Sequence, residues 1–111
     1  MRLRHAVAVT AGAFALALSL PASASAATGD FLYEVPGQGV AALTDPPSGQ
    51  CVTLPEVSDP RATPPAHSTR NHTDAQATVF KDANCQGPSF KHRAHGGYGS
   101  ERLEVRSVWF S

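Results

Sequence analysis

The sequence predicts a small all-β domain, a sandwich or Greek-key arrangement with one disulfide, on three observations. No segment after residue 26 sustains apolar residues at the three- and four-residue spacing of a helix. About seven short strand-like runs follow one another, separated by glycine, proline, asparagine and aspartate turns. The only two cysteines, Cys51 and Cys85, lie one in such a run and one in such a turn.

The chain opens on Met1, Arg2, Leu3, Arg4 and His5 and then runs apolar over residues 6–20, interrupted by Thr10, Gly12 and Ser19. Pro21 ends the run. Ala22-Ser23-Ala24-Ser25-Ala26 then offers the small residues a signal peptidase reads. Residues 1–26 therefore read as a secretory signal peptide cut after Ala26, with Ala24 and Ala27 as neighbouring alternatives. The apolar run of about fifteen residues is shorter than the roughly 20 that span a bilayer as a helix, and no cysteine follows it to take a lipid. The remaining domain, residues 27–111, is expected outside the cell.

The full chain carries nine Lys and Arg against nine Asp and Glu; without Arg2 and Arg4 the domain keeps seven cations and is slightly acidic. It has no basic cluster of the kind nucleic acid or an anionic membrane requires, so neither is an expected partner. A domain this small buries a modest core and gains from a covalent tie. Two cysteines in an exported domain most simply form one disulfide, Cys51 to Cys85. Neither belongs to a C-x-x-C pair or stands beside an activating cation, which argues against a reactive thiol or a metal site.

Taken in order, Phe31, Tyr33 and Val35 alternate onto one strand face, and Pro36-Gly37-Gln38-Gly39 breaks that strand. Val40-Ala41-Ala42-Leu43 pairs back as a second, ending at the turn Asp45-Pro46-Pro47-Ser48-Gly49. Cys51-Val52-Thr53-Leu54 is a third, closed by Pro55. Residues 55–66 hold four prolines and read as a loop, which continues through the polar residues 67–74. Ala77-Thr78-Val79-Phe80 resumes strand character, residues 81–87 turn, and Ser89-Phe90-Lys91-His92 is another short strand. Gly96-Gly97-Tyr98-Gly99 reads as a loop. Residues 102–110 form the longest candidate, with Leu103, Val105, Ser107 and Trp109 on one face and Glu104, Arg106, Val108 and Phe110 on the other; both Trp109 and Phe110 are expected in the core.

Several patterns approach known chemistry and stop short. Asp82, Asn84, Gln86 and Gly87 imitate the start of a calcium loop, but Arg93 stands where the bidentate glutamate belongs. His92 and His95, with His67 and His72, could gather a metal, yet no H-E-x-x-H pattern accompanies them. Ser100 after Gly97-Tyr98-Gly99 is not G-x-S-x-G, and no strand-to-helix context surrounds it. Asn71-His72-Thr73 fits an N-glycosylation sequon.

Cys51, then Asn71-x-Thr73-Asp74, then Ala77-x-Val79-Phe80-x-Asp82-x-x-Cys85-x-Gly87, then Arg106-Ser107-Val108-Trp109-Phe110 resemble small exported actinomycete-type proteins with a βγ-crystallin-like fold. The resemblance implies a Greek-key corner in which Phe80 packs over a folded hairpin, Gly87 supplies positive φ, and Ser107 closes the motif from a final strand. Cys85 replaces the second aromatic usual before that glycine, and its tie to Cys51 joins the two halves. Tyr33 and Gly39 are the looser first-half match. Arg106 and Leu103 stand where the superfamily's calcium ligands would be, so calcium is not expected.

The expected function is a secreted, non-enzymatic binding protein without catalytic residues, cofactor or metal. Relatives in that superfamily include metalloprotease inhibitors and toxin-like proteins, so a protease inhibitor or toxin-like antagonist is the concrete form, with residues 55–66 as a stiffened binding loop. The partner is an extracellular protein or a cell-wall polymer, and the protein is expected to be a monomer. Two other readings stay open: a metal-binding or small hydrolytic protein using His92, His95 and Ser100, and a passive extracellular structural component.

Overall fold

The computed structural model describes residues 25–111, so the signal-peptide reading of residues 1–26 falls almost wholly outside the described residues. Among the described residues eight strands are present: β1 Gly29–Val35, β2 Gly39–Thr44, β3 Cys51–Thr53, β4 His67–Thr73, β5 Ala77–Asp82, β6 Gln86–His92, β7 Gly97–Tyr98 and β8 Ser107–Phe110. They form two antiparallel four-stranded sheets, one ordered β2-β1-β4-β7 and the other β3-β8-β5-β6. Each half of the chain thus builds three strands of one sheet and gives its third strand to the other. Neither sheet is complete without both halves.

The alternation in β1 turns Phe31, Tyr33 and Val35 inward, all 2% exposed or less. They meet Val79 of β5 and Val108 and Phe110 of β8, and Phe31 stands edge-on to Phe110 with ring centroids 5.5 Å apart. Ala41 and Leu43 of β2 pack partly against this core, opposite Tyr33 and Phe31 in register.

The polar residues 67–74, expected as loop, are instead mostly β4, which lies between β1 and β7. Its inward side chains are Thr69, Asn71 and Thr73, each fully buried. The strand was hidden because its inner face is hydrogen-bonded rather than apolar. Asn71 Nδ2 donates to the carbonyls of Ala75 (2.8 Å), Arg93 (3.0 Å) and His92 (3.3 Å), while its Oδ1 accepts from the Thr73 hydroxyl at 2.7 Å. A buried amide so fully partnered avoids the desolvation cost of an orphaned one. The sequon asparagine is therefore an internal strut, with no exposed amide for a glycan in the folded domain.

Three further expectations are corrected. Gly97–Tyr98 is a short strand on β4 rather than loop. Of residues 102–110 only Ser107–Phe110 form a strand, preceded by an isolated bridge between Val105 and Ala66. Trp109 faces outward and is 38% exposed, whereas Phe110 is core. In residues 55–66, Val57 and Ala66 are fully buried, since isolated apolar residues among prolines can still anchor a loop. Buried Arg106 holds that loop, donating from Nη1 to the Val57 carbonyl at 2.8 Å and from Nη2 to that of Thr63 at 3.0 Å.

Cys51 and Cys85 are bonded, with Cα atoms 5.9 Å apart across 34 residues of sequence. The disulfide ties β3, a three-residue edge strand, to the turn Ala83–Cys85 between β5 and β6. Closing a loop of this length removes unfolded-state entropy equivalent to roughly 3–4 kcal/mol. Replacing both cysteines with serine is expected to lower unfolding stability by about that amount, read as a lower urea midpoint with a somewhat steeper slope from the more expanded unfolded chain.

Candidate functional site

The residues singled out by the Greek-key resemblance meet at one corner. Ser107, fully buried at the start of β8, donates from Oγ to the Asp82 carbonyl at 2.6 Å and accepts from the Cys85 amide at 2.8 Å. Its one hydroxyl pins both sides of the β5–β6 turn. Asn84 and Cys85 hold left-handed φ values of 60° and 55°, which cost energy in non-glycine residues. The Ser107 bond, the disulfide and a 3.0 Å bond from the Asn84 amide to Thr53 Oγ1 restrain them there. Gly87 has φ +81°, and a Cβ at that position would lie 2.5 Å from Asp82 Oδ2. Phe80 is half-buried beside this turn, opposite Ser107 in register. In the first half, Gly39 also has positive φ, and Tyr33 donates from its hydroxyl to Glu56 at 2.7 Å. Burial, then the Glu56 hydrogen bond and charge, push the Tyr33 phenol above its ordinary range.

The histidines play separate parts. His92 is 1% exposed, with Nε2 2.6 Å from Thr69 Oγ1 and its ring packed against Phe31 and Phe90. Its Nδ1 meets no hydrogen bond of good geometry. His67 bonds Ser68, and His72 and His95 are exposed. Among the described residues no three His, Cys, Asp or Glu side chains are grouped as a metal would need. Ser100 Oγ accepts from the Arg102 amide, and His92, the histidine under the same surface, is engaged with Thr69 instead. Ser100 and His92 thus have other hydrogen-bond partners than each other.

What the structure offers instead is a groove along the margin where the edge strands β6 and β7 face each other across the sandwich. Phe90 lies on the same face of β6 as buried His92, two residues on, and reaches toward β7. β7 presents Gly97 inward, and Gly99 follows, so no side chain from there covers the ring. Phe90 is left 51% exposed and Tyr98 64% exposed. A hollow of about 470 Å³ is lined by Phe90, Tyr98, Gly99, Ser100 and Leu103. It adjoins a second of about 220 Å³ reaching Lys91 and Arg93, and a third of about 210 Å³ reaching Lys81, Arg102 and Glu104. The glycines are required: a Cβ on Gly97 would collide with the Arg93 backbone, and one on Gly99 would come 2.7 Å from Thr69 Oγ1 and 2.6 Å from Leu103. Sequence reasoning missed the groove, whose available signal was the Gly97-Tyr98-Gly99 run set against an outward Phe90.

No family model, curated protein or solved structure matches this chain. Among the described residues no helix is long and apolar enough to cross a membrane.

Two measurements check this account. Ser107→Ala removes both bonds at the β5–β6 turn and is expected to cost about 1–3 kcal/mol of stability by urea unfolding. Burial holds the His92 imidazole below its ordinary value, a backbone contact at Lys91 pulling slightly the other way. The unfolded chain therefore takes up this proton first. Stability is expected to fall as pH drops below about 6.5, by at most about 1.4 kcal/mol per pH unit, until the folded-state value is passed. Unfolding curves across that range should be flatter for His92→Gln than for the native chain.

Proposed function

We propose that this chain is an exported, non-enzymatic binding domain of βγ-crystallin-like, Greek-key organisation that captures its partner along the β6–β7 groove. The observation that carries this reading is the pair of exposed aromatic rings, Phe90 and Tyr98, lining adjoining hollows while Phe31, Tyr33 and Phe110 are buried. Exposed rings at a concave surface are characteristic of recognition sites.

Greek-key organisation is supported by the exchanged third strands and by the Ser107–Asp82–Gly87 corner. Export is supported by the basic, apolar and small-residue pattern of residues 1–26 and by a disulfide suited to an oxidising compartment. The partner is an extracellular protein, held in the manner of an inhibitor or antagonist, or a cell-wall polymer. A single copy carries the whole groove, so capture needs no second subunit.

The test is retention of the oxidised protein on immobilised secreted metalloproteases and on purified cell-wall polymers, with native chain and a Phe90→Ala/Tyr98→Ala variant compared. Native retention on one class, weakened at least tenfold in the variant, is the expected result. Equal retention of both proteins moves the site away from the groove, and hydrolysis of any substrate in the panel overturns the non-enzymatic reading.

A further inference from the structure

The groove differs in charge from the domain that contains it. The described residues hold seven Lys and Arg against nine Asp and Glu, so the domain is net acidic. Yet Lys81, Lys91, Arg93 and Arg102 line the three hollows, and Glu104 is the one carboxylate among the lining residues. Glu104 is already engaged, 3.6 Å from Lys81 Nζ. Glu101, next to Arg102 in sequence, lines none of the hollows. Lys91, Arg93 and Arg102 are exposed and have no ion-pair partner among the described residues.

From this segregation we infer that the groove binds an acidic polysaccharide, with Phe90 and Tyr98 stacking on sugar faces and Arg93 and Arg102 meeting the carboxylate or phosphate groups. The inference rests on the proposed binding role of the groove and narrows its partner. Exposed ring faces suit the apolar C–H face of a pyranose, and guanidinium groups at the margins suit anionic substituents in a fixed geometry. The three hollows adjoin one another along the margin through Phe90, Tyr98 and Leu103, which fits an extended chain laid across the surface. Nucleic acid also stacks on aromatic rings, and oligo-dT is therefore one of the probes that separates it from a glycan. An exported domain meets acidic glycans as wall and matrix polymers.

Affinity electrophoresis of the oxidised protein, expressed as the full chain, tests this with four probes. They are polygalacturonate, its fully methyl-esterified neutral form, polyglutamate and oligo-dT. Polygalacturonate should retard the protein, with at least tenfold weaker binding to the ester and a loss of retardation as salt is raised. Phe90→Ala/Tyr98→Ala and Arg93→Gln/Arg102→Gln should each weaken binding about tenfold. Arg61→Gln, a cation outside the groove, should leave it unchanged, and thermal melting should show every variant folded.

Equal binding of acid and ester overturns the charge recognition while leaving the groove as a binding site. Tighter binding of polyglutamate or oligo-dT reassigns the ligand to an acidic peptide or a nucleic acid. An Arg61→Gln loss as large as the groove variants' reduces the effect to diffuse electrostatics, and no binding by any probe overturns the inference outright.

Discussion

The side-chain amide of Asn71 allows a polar strand to run through the middle of this domain. β4 lies between β1 and β7, and its inner face is Thr69, Asn71 and Thr73. Burying such a face without partners would cost several kcal/mol. Asn71 partners Thr73 and the backbone of Ala75, His92 and Arg93, which ties β4 to the β4–β5 turn and to the end of β6, while Thr69 is partnered by His92 Nε2. The Asn71 carbonyl also accepts from the Gly96 amide at 2.7 Å, which brings the chain back alongside β4 as β7. Side chain and backbone of Asn71 together thus touch the chain on both sides of the groove margin, at the end of β6 and at the start of β7.

The same arrangement explains why an aromatic ring is stranded at the surface. Inward residues of β6 should be covered by inward residues of the facing sheet, as Phe110 is covered by Phe31. Opposite Phe90 the facing strand is two residues long and presents glycine, because any larger residue would strike Arg93, Thr69 or Leu103. The turn that Asn71 secures leaves no room for a cover. The glycines of one strand and the exposed ring on its neighbour are then the same fact.

How much of this was legible depended on what each inner face is made of. β1 and β5 declared themselves because Phe31, Tyr33 and Val35, and Ala77 and Val79, alternate as apolar residues. The disulfide followed from there being two cysteines in the chain. β4 was illegible because hydrogen-bonded threonine and asparagine look, in one dimension, like a loop. β7 was illegible because a two-residue strand has no period to read. Trp109 misled because an apolar residue on a sheet's outer face is indistinguishable in sequence from one on its inner face. The Phe80–Gly87–Ser107 corner was visible as a motif, whereas the groove lies between β6 and β7, neighbours in sequence whose assignment to different sheets no local pattern announces.

β8 is inserted between β3 and β5, and it pairs Cys51, Val52 and Thr53 with Trp109, Val108 and Ser107. One sheet therefore cannot close until the last strand has been delivered, however early the first half is made. Such a chain has little to gain from folding while it is being synthesised, since its decisive contacts span more than half its length. The sheet is thus completed by contacts of long sequence separation, which form more slowly than those of a local hairpin, and the Cys51–Cys85 bond holds β3 beside the β5–β6 turn once they have formed.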